Sequence, residues 1–323
     1  MNHSTFKSFT FGIGLFFTLP LVYGNSSSPS SSDGTLYINK SKTHKVAPVK
    51  YGFHYEEIGM MGEGALHAEL IRNRSFEEAT PPAGLSVKNG LYENVPAPRV
   101  KEKKVFQADP LIGWTTYPLS YTPVFISRTD ENPMSGENKY SMLVNVTEDI
   151  ANHPDALILN RGYYGMNLKT DTSYRLSLFL KNRNYSAPLR VFLVDEWGQR
   201  VSNVIEVNVG NRDWTKYSGE LKPEKNVRRG MFAIQPMSKG QFQMDVVSLF
   251  PSDTWNDGKS VFRKDIVQNL KEFSPSFIRF PGGCIVHGVN EETMYHWKKT
   301  LGPIENRPGQ WSKWAPYYRN RLS

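Results

Sequence analysis

The chain has 323 residues, of which 39% are hydrophobic, 13% aromatic and 22% charged. That is the make-up of an ordinary globular protein with room for about two domains and a substantial core. A net charge of +8 raises nucleic acid or an acidic polymer as a partner. The basic residues are scattered, however, and the densest runs, Arg99 to Lys104 and Lys222 to Arg229, are short and interrupted by acids or proline, so the charge reads as a solvated surface and nucleic acid is not expected.

From the N-terminus, Lys7 precedes an apolar run from Phe9 to Tyr23, which is too short for a comfortable membrane span. With Val22-Tyr23-Gly24 at its end it predicts a secretory signal over 1–24, and hence a secreted or periplasmic protein with no membrane association after cleavage. A Ser-rich linker follows over 25–35. Asn-X-Ser/Thr acceptors stand at Asn25, Asn39, Asn73, Asn145 and Asn184. Cys284 is the only cysteine, so an intrachain disulfide is excluded.

Leu36 to Asn39 alternates like a short strand, and Tyr51 to Ile58 predicts a second, more buried one. On a strand the adjacent Glu56 and Glu57 point to opposite faces, so at most one serves a given site. The glycines at 59, 62 and 64 do not make a dinucleotide fingerprint, and no cofactor motif follows. Leu66, Leu70 and Ile71 recur at helical spacing, which predicts a short helix over 65–76. From Thr80 to about Pro110 the chain turns rich in Pro, Gly and Lys, marking a boundary.

A train of short alternating runs comes next: Trp114–Tyr117, Tyr140–Thr147, Ala156–Asn160, Ser173–Leu180, Leu189–Val194, Val201–Val209, Thr215–Leu221, Met231–Gln235 and Phe242–Phe250. Turn residues separate them and no helical period intervenes, which is the signature of a β-sandwich. Trp114, Trp197 and Trp214 are candidates for either core packing or a sugar-stacking platform.

Helical spacing returns over about 260–273 with Val261, Ile266, Val267, Leu270 and Phe273. It leads through a Ser-Pro turn into Ser276-Phe277-Ile278-Arg279-Phe280-Pro281-Gly282-Gly283-Cys284, a predicted buried strand ending in a glycine loop. Helix, strand and loop form one step of a parallel α/β layout, in which chemistry gathers at strand C-terminal ends. The β-sandwich is thus bracketed by pieces of an α/β fold. The seven histidines show no metal-ligand spacing, and no metal or cofactor is expected.

Three motifs carry a family resemblance. The first is Gly52 to Ile58, continued by Gly62 to Glu77 with its Ala68-Glu69-Leu70-Ile71-Arg72-Asn73-Arg74-Ser75-Phe76-Glu77 run. The second is Asp245 to Pro251, and the third is Phe277 to Cys284 with Tyr295 to Lys298 and Gly302 to Gly309 behind it. In this order they resemble the N-terminal part of glycoside hydrolase family 51 α-L-arabinofuranosidases that carry an inserted carbohydrate-binding-like β-sandwich. Phe53-His54 and Gly59-Met60 depart from the usual family pairs.

The resemblance implies an α/β plus all-β chain: the start of a (β/α)₈ barrel, about two of eight strands, interrupted by a jelly-roll-like sandwich. The implied divisions are 36–83 for the N-terminal strands and first barrel strand, 84–250 for the sandwich and 251–323 for the incomplete catalytic domain. It implies retaining hydrolysis of terminal non-reducing α-L-arabinofuranosyl residues in plant cell-wall polysaccharides, with Glu56, Cys284, Arg279 and Asn73 holding the sugar. A carboxylate suits sugar hydroxyls, and a glycine loop lets backbone donors approach the ring.

A retaining glycosidase uses two carboxyl groups about 5–5.5 Å apart. In the family these come from later strands, one within an Asn-Glu pair, so they are expected beyond Ser323 and the chain is expected to be a catalytically incomplete piece. Asn290-Glu291, the one Asn-Glu pair in the chain, falls after the second strand and is not expected to be the acid. The alternative is a secreted carbohydrate-binding protein without catalysis, its sandwich recognising a plant polysaccharide.

Overall fold

The structure is a computed structural model that describes residues 38–41, 43, 45, 51–58, 60–80, 86–93, 106–107, 109–288, 291, 293–311 and 320–322. The predicted signal and Ser-rich linker lie outside these residues. The chain divides into two units, Met1–Lys50 and Tyr51–Ser323. In the first, the described residues include a turn at Lys40–Ser41, where Asn39 Oδ1 accepts from the Ser41 amide at 3.0 Å. The predicted Leu36 to Asn39 strand is corrected where it can be seen: Ile38 and Asn39 belong to no strand, and Ile38 is exposed. Alternation alone supplies no ladder partner.

In the second unit the strands, in chain order, are β1 (Phe53–His54), β2 (Ser86–Lys88), β3 (Leu91–Glu93), β4 (Phe106–Gln107), β5 (Trp114–Tyr117), β6 (Val124–Thr129), β7 (Ser141–Val146), β8 (Leu157–Asn160), β9 (Met166–Leu168), β10 (Tyr174–Asn182), β11 (Pro188–Val194), β12 (Ile205–Asn208), β13 (Thr215–Leu221), β14 (Val227–Pro236) and β15 (Gly240–Pro251). Helix α1 (Lys264–Glu272), β16 (Ile278–Arg279), the single helical turn α2 (Cys284–His287), β17 (Gly309–Trp311) and β18 (Asn320–Leu322) complete the list. The protein is therefore mostly β with few helices.

Two antiparallel sheets dominate. One has the order β13-β10-β15-β7-β6, and the other β12-β11-β14-β8-β5 with β9 added on β14. Alternation explains the first: Tyr174, Leu176, Leu178 and Leu180 of β10 are buried, while the residues between them are partly or fully exposed. They share one core with Ile158, Val191, Leu193, Phe232 and Ile234 of the second sheet. That sheet is covered on its other face too, where Leu157, Leu159, Phe192, Val194, Met231 and Ala233 bury against Tyr117 and Val204. This is why β8 and much of β14 are apolar without alternation. Each fully buried Leu, Ile or Phe adds roughly 1.5–3 kcal/mol to such a core.

Several predicted boundaries shift. The Val201–Val209 run is a strand only over Ile205–Asn208, because Ser202 and Val201 turn to hydrogen-bond the Leu193 backbone instead. Val124–Thr129 and Met166–Leu168 are strands that the predicted train lacks. Within the predicted boundary over 80–110, β2, β3 and β4 form a small antiparallel sheet. Trp114 packs in the core at 6% exposure and Trp197 stands 70% exposed, so the three tryptophans make no common platform.

The largest correction is the predicted helix over 65–76. The chain bends irregularly at Gly62–Leu66 and then runs as an extended strap. The sheets capture the backbone groups that a helix would need for itself. The Ala68 amide donates to Val261 O, the Leu70 amide to Leu249 O, and Arg74 O accepts from the Val247 amide. Fully buried Asn160 receives the Arg72 amide on Oδ1 and donates through Nδ2 to Arg72 O at 3.0 Å. Asn73 and Phe76 take positive φ, 52° and 59°, which no α-helix accommodates.

Candidate functional site

The parallel pair β1 and β16 sets the candidate site. Phe53 faces Ile278 and His54 faces Arg279 in register. The Phe53 amide donates to Phe277 O at 3.0 Å and the Tyr55 amide to Arg279 O at 2.9 Å. The predicted burial of this second strand is corrected: Phe277, Ile278 and Phe280 are 52%, 59% and 60% exposed. Only one strand pairs with β16, and among the described residues no layer closes over those side chains. Helix α1 likewise buries none of its residues.

Beyond both strand ends the chain turns back on itself. Glu56, 8% exposed, accepts the Ile285 amide on Oε1 at 2.9 Å. Its carboxylate thereby caps the turn that begins at Cys284. The close approach depends on glycine: a Cβ on Gly282, at φ 139°, would stand 2.4 Å from Glu56 Cβ, and one on Gly283 would lie 3.1 Å from Oε2. Cys284 carries a free, half-buried thiol at the first position of that turn. The peptide Phe280-Pro281 is cis.

Glu57 turns the other way and receives the Gly62 amide, so the two adjacent carboxylates do serve different neighbourhoods. Tyr55 immediately precedes them, and its phenol is pushed above its usual range by burial first and Glu57 second. The Phe280 ring tilts against Tyr55 at 6.0 Å and meets Tyr295 edge-on at 5.8 Å. Together these rings line one flank of the loop.

Of the four predicted sugar-binding residues, the structure brings Glu56 and Cys284 together and places Arg279 on the same sheet face. Arg279 is exposed, and its guanidinium has no hydrogen bond or ion pair among the described residues. Asn73 belongs elsewhere. It is buried in the strap, where Nδ2 donates to Pro110 O at 3.0 Å and Oδ1 accepts the Glu78 amide at 3.2 Å. The cavity it lines with His67, Glu69, Arg74 and Tyr163 measures about 20 Å³, the room of a single water.

His54 was not singled out by the sequence. Its Nε2 is 3.8 Å from Glu56 Oε2, and the ring is 47% exposed. Its position two residues before Glu56 on a strand was the available signal, because i and i+2 share a face. Asn290 lies outside the described residues; Glu291 is exposed, and its carbonyl accepts from His296 Nε2 at 2.8 Å.

The comparisons with known proteins agree with one another. The family model described as the alpha-L-arabinofuranosidase 1 domain matches residues 269–323. Alpha-L-arabinofuranosidase 1 of Arabidopsis thaliana is 28% identical over 274 residues, which is 82% of this chain and 36% of that protein. The extracellular exo-alpha-L-arabinofuranosidase of Streptomyces chartreusis is 26% identical over 278 residues, 82% of this chain and 29% of its own length. The chain is similar to the α-L-arabinofuranosidases. An arabinose-bound family 51 arabinofuranosidase structure shares the fold with a TM-score of 0.68 at 24% identity, covering 85% of this chain and 41% of that one. The chain thus spans well under half the length of these arabinofuranosidases. No helix among the described residues is long and apolar enough to cross a membrane.

Proposed function

We propose that the chain is the sugar-holding part of a secreted, retaining α-L-arabinofuranosidase that releases terminal non-reducing α-L-arabinofuranosyl residues from plant cell-wall polysaccharides. In this reading β1 and β16 are the first two strands of a (β/α)₈ barrel. The two-sheet body, over about 84–250, is a jelly-roll-like domain inserted between the first strand and the helix that follows it.

The observation that carries the reading is the Glu56 carboxylate, fixed against the Gly282-Gly283-Cys284 loop at the C-terminal ends of two parallel strands. That is where α/β barrels place their sites. Glu56 Oε2, the Cys284 thiol, the Arg279 guanidinium and the His54 ring offer acceptors and donors to sugar hydroxyls from one side. Glu56 positions substrate here; the acid/base and nucleophile are assigned to carboxylates outside the 323 residues.

The test has two arms. NMR titration of the chain with L-arabinose should shift the Gly282, Gly283 and Ile285 amides, and Glu56→Gln should abolish the shifts. An aryl α-L-arabinofuranoside should not be turned over by the chain alone. Unshifted loop amides would overturn the binding assignment, and turnover by these 323 residues would overturn the placement of the catalytic carboxylates.

A further inference from the structure

The outer face of the five-stranded sheet holds a groove of about 490 Å³, far from water-sized. The loop over 258–261 forms one wall, and the Arg175 guanidinium donates to Gly258 O at 3.1 Å across the junction. Three cations line the groove, Arg175, Lys216 and Lys259, and none of them makes an ion pair among the described residues. No carboxylate is among the lining side chains. Glu220, opposite Arg175 on β13, stands outside the groove with Lys222 Nζ at 3.9 Å.

Between the cations lies a row of hydroxyls. Ser177 of β10 is in register with Ser218 of β13 on one side and Ser248 of β15 on the other. Adjacent strands set such neighbours about 4.8 Å apart, close to the rise of one ring in an extended glycan. The hydroxyls of Ser177 and Ser218 have no protein partner among the described residues; Ser248 donates to Glu69 and keeps its lone pairs. On either side of this row sit phenyl rings: Phe250 is paired with Arg175, and Phe179 is paired with Lys216, whose Nζ stands 5.6 Å from the ring centroid. Unpaired cations, hydroxyls and small apolar surfaces together suit a ligand with ring C–H faces, hydroxyl edges and negative charge.

We propose that this groove binds a carboxylated polysaccharide, a uronate-bearing glycan, with its carboxylates at Arg175, Lys216 and Lys259 and its hydroxyls along the serine row. Regularly spaced hydroxyls favour this occupant over a nucleic acid, which would be held by phosphate charge and by stacking on flat exposed rings. The site is separate from the Glu56 loop and stands whether or not the protein is a hydrolase.

Affinity electrophoresis of the full chain through gels containing polygalacturonate, neutral debranched arabinan or duplex DNA, at about 0.15 M salt, tests it. Polygalacturonate should retard the chain, and neutral debranched arabinan, which offers the Glu56 site only its few chain ends, should retard it far less. Lys216→Gln and Lys259→Gln, both on exposed side chains, should each weaken polygalacturonate binding about fivefold. Ser177→Ala combined with Ser218→Ala should weaken it without changing any retardation by DNA. Thermal melts would confirm that each variant is folded; should the serine pair fail to fold, the two lysine variants decide. Parent-like binding by both lysine variants, equal retardation by neutral arabinan, or DNA bound as tightly as polygalacturonate would each overturn the proposal. Arabinose binding at Glu56 is measured separately, so failure of one assignment leaves the other intact.

Discussion

The two-sheet body and the β1–β16 pair are built from similar residues and end in opposite conditions. Phe232, Leu178 and Ile158 are wholly buried between layers, whereas Phe277, Ile278 and Phe280 are more than half exposed on a two-stranded ladder. Apolar character therefore does not by itself place a residue in a core; a second layer has to exist to receive it. Stability in these residues resides in the sheets, and the candidate sugar site rests on the less supported part.

The sharpest way to break that contrast is to cut on both sides of it. Phe232→Ala should cost about 3–5 kcal/mol in a denaturant melt, while Ile278→Thr should stay within about 0.5 kcal/mol; comparable losses would erase the distinction. Glu69→Ala belongs with the large effects. Glu69 pairs with Arg74 at 3.3 Å and accepts the Leu249 amide at 2.8 Å, both residues being buried, so removing it strands the guanidinium at about 3–5 kcal/mol.

Two titrations sharpen the comparison further, since buried ionisable groups concentrate where the strap meets the sheets. Asp245 is fully buried and its Oδ2 has no hydrogen-bond partner among the described residues; burial first, and then Glu77, hold its carboxyl well above the usual range, with the Val246 amide opposing. A folded pKa above the unfolded one means stability present at low pH and lost as pH rises toward the folded value. Asp245→Asn should therefore raise stability at pH 8 by about 1–3 kcal/mol and flatten the alkaline side of a melting profile. His67 has the opposite sign. Burial, then Arg74 and Arg307, push its imidazole down to about 3 from 6.5. Its contribution is present above about pH 6.5 and fades as pH falls toward 3, by up to about 1.4 kcal/mol per pH unit. The melting temperature of the parent relative to His67→Gln should accordingly drop between pH 7 and pH 4.

The most local effect should come from the loop. Gly282→Ala places a methyl on the Glu56 side chain at a positive φ. The cost to the fold should be about 1–3 kcal/mol, confined to a local unfolding unit. Arabinose-dependent shifts should nevertheless vanish. A cooperative loss of the entire two-sheet melt in this variant would show the loop to be part of the main folding unit.

The ladder of short strands was legible in the sequence because period-two alternation is imposed on any strand with one wet face, as in β10 and β13. The strap was not. Leu66, Leu70 and Ile71 do fall at helical spacing, but Asn160, Val247 and Leu249, more than 80 residues away, claim the same backbone groups. A window of a dozen residues contains no trace of that competition. At the candidate site, the strand end at Glu56 and the glycine loop that follows β16 could be placed from the sequence pattern, and His54 could have been found by the two-residue period. Asn73 lies apart from that loop because its side chain bonds the Pro110 carbonyl, distant in sequence, as well as the nearby Glu78 amide, and the first of these partners is brought to it by the fold.

Asn160 makes the strap and the sheet a single opening unit. Its amide grips both backbone groups of Arg72, and its Oδ1 also receives the Gly162 amide at 2.8 Å. Exchange of the Ala68, Leu70 and Arg72 amides with deuterated solvent should thus follow the slow clock of the sheets, while Phe53 and Tyr55, a few residues upstream, should exchange on the faster clock of the parallel pair. The boundary between those clocks falls within some fifteen residues of covalently continuous chain, and Glu56 stands on the fast side of it.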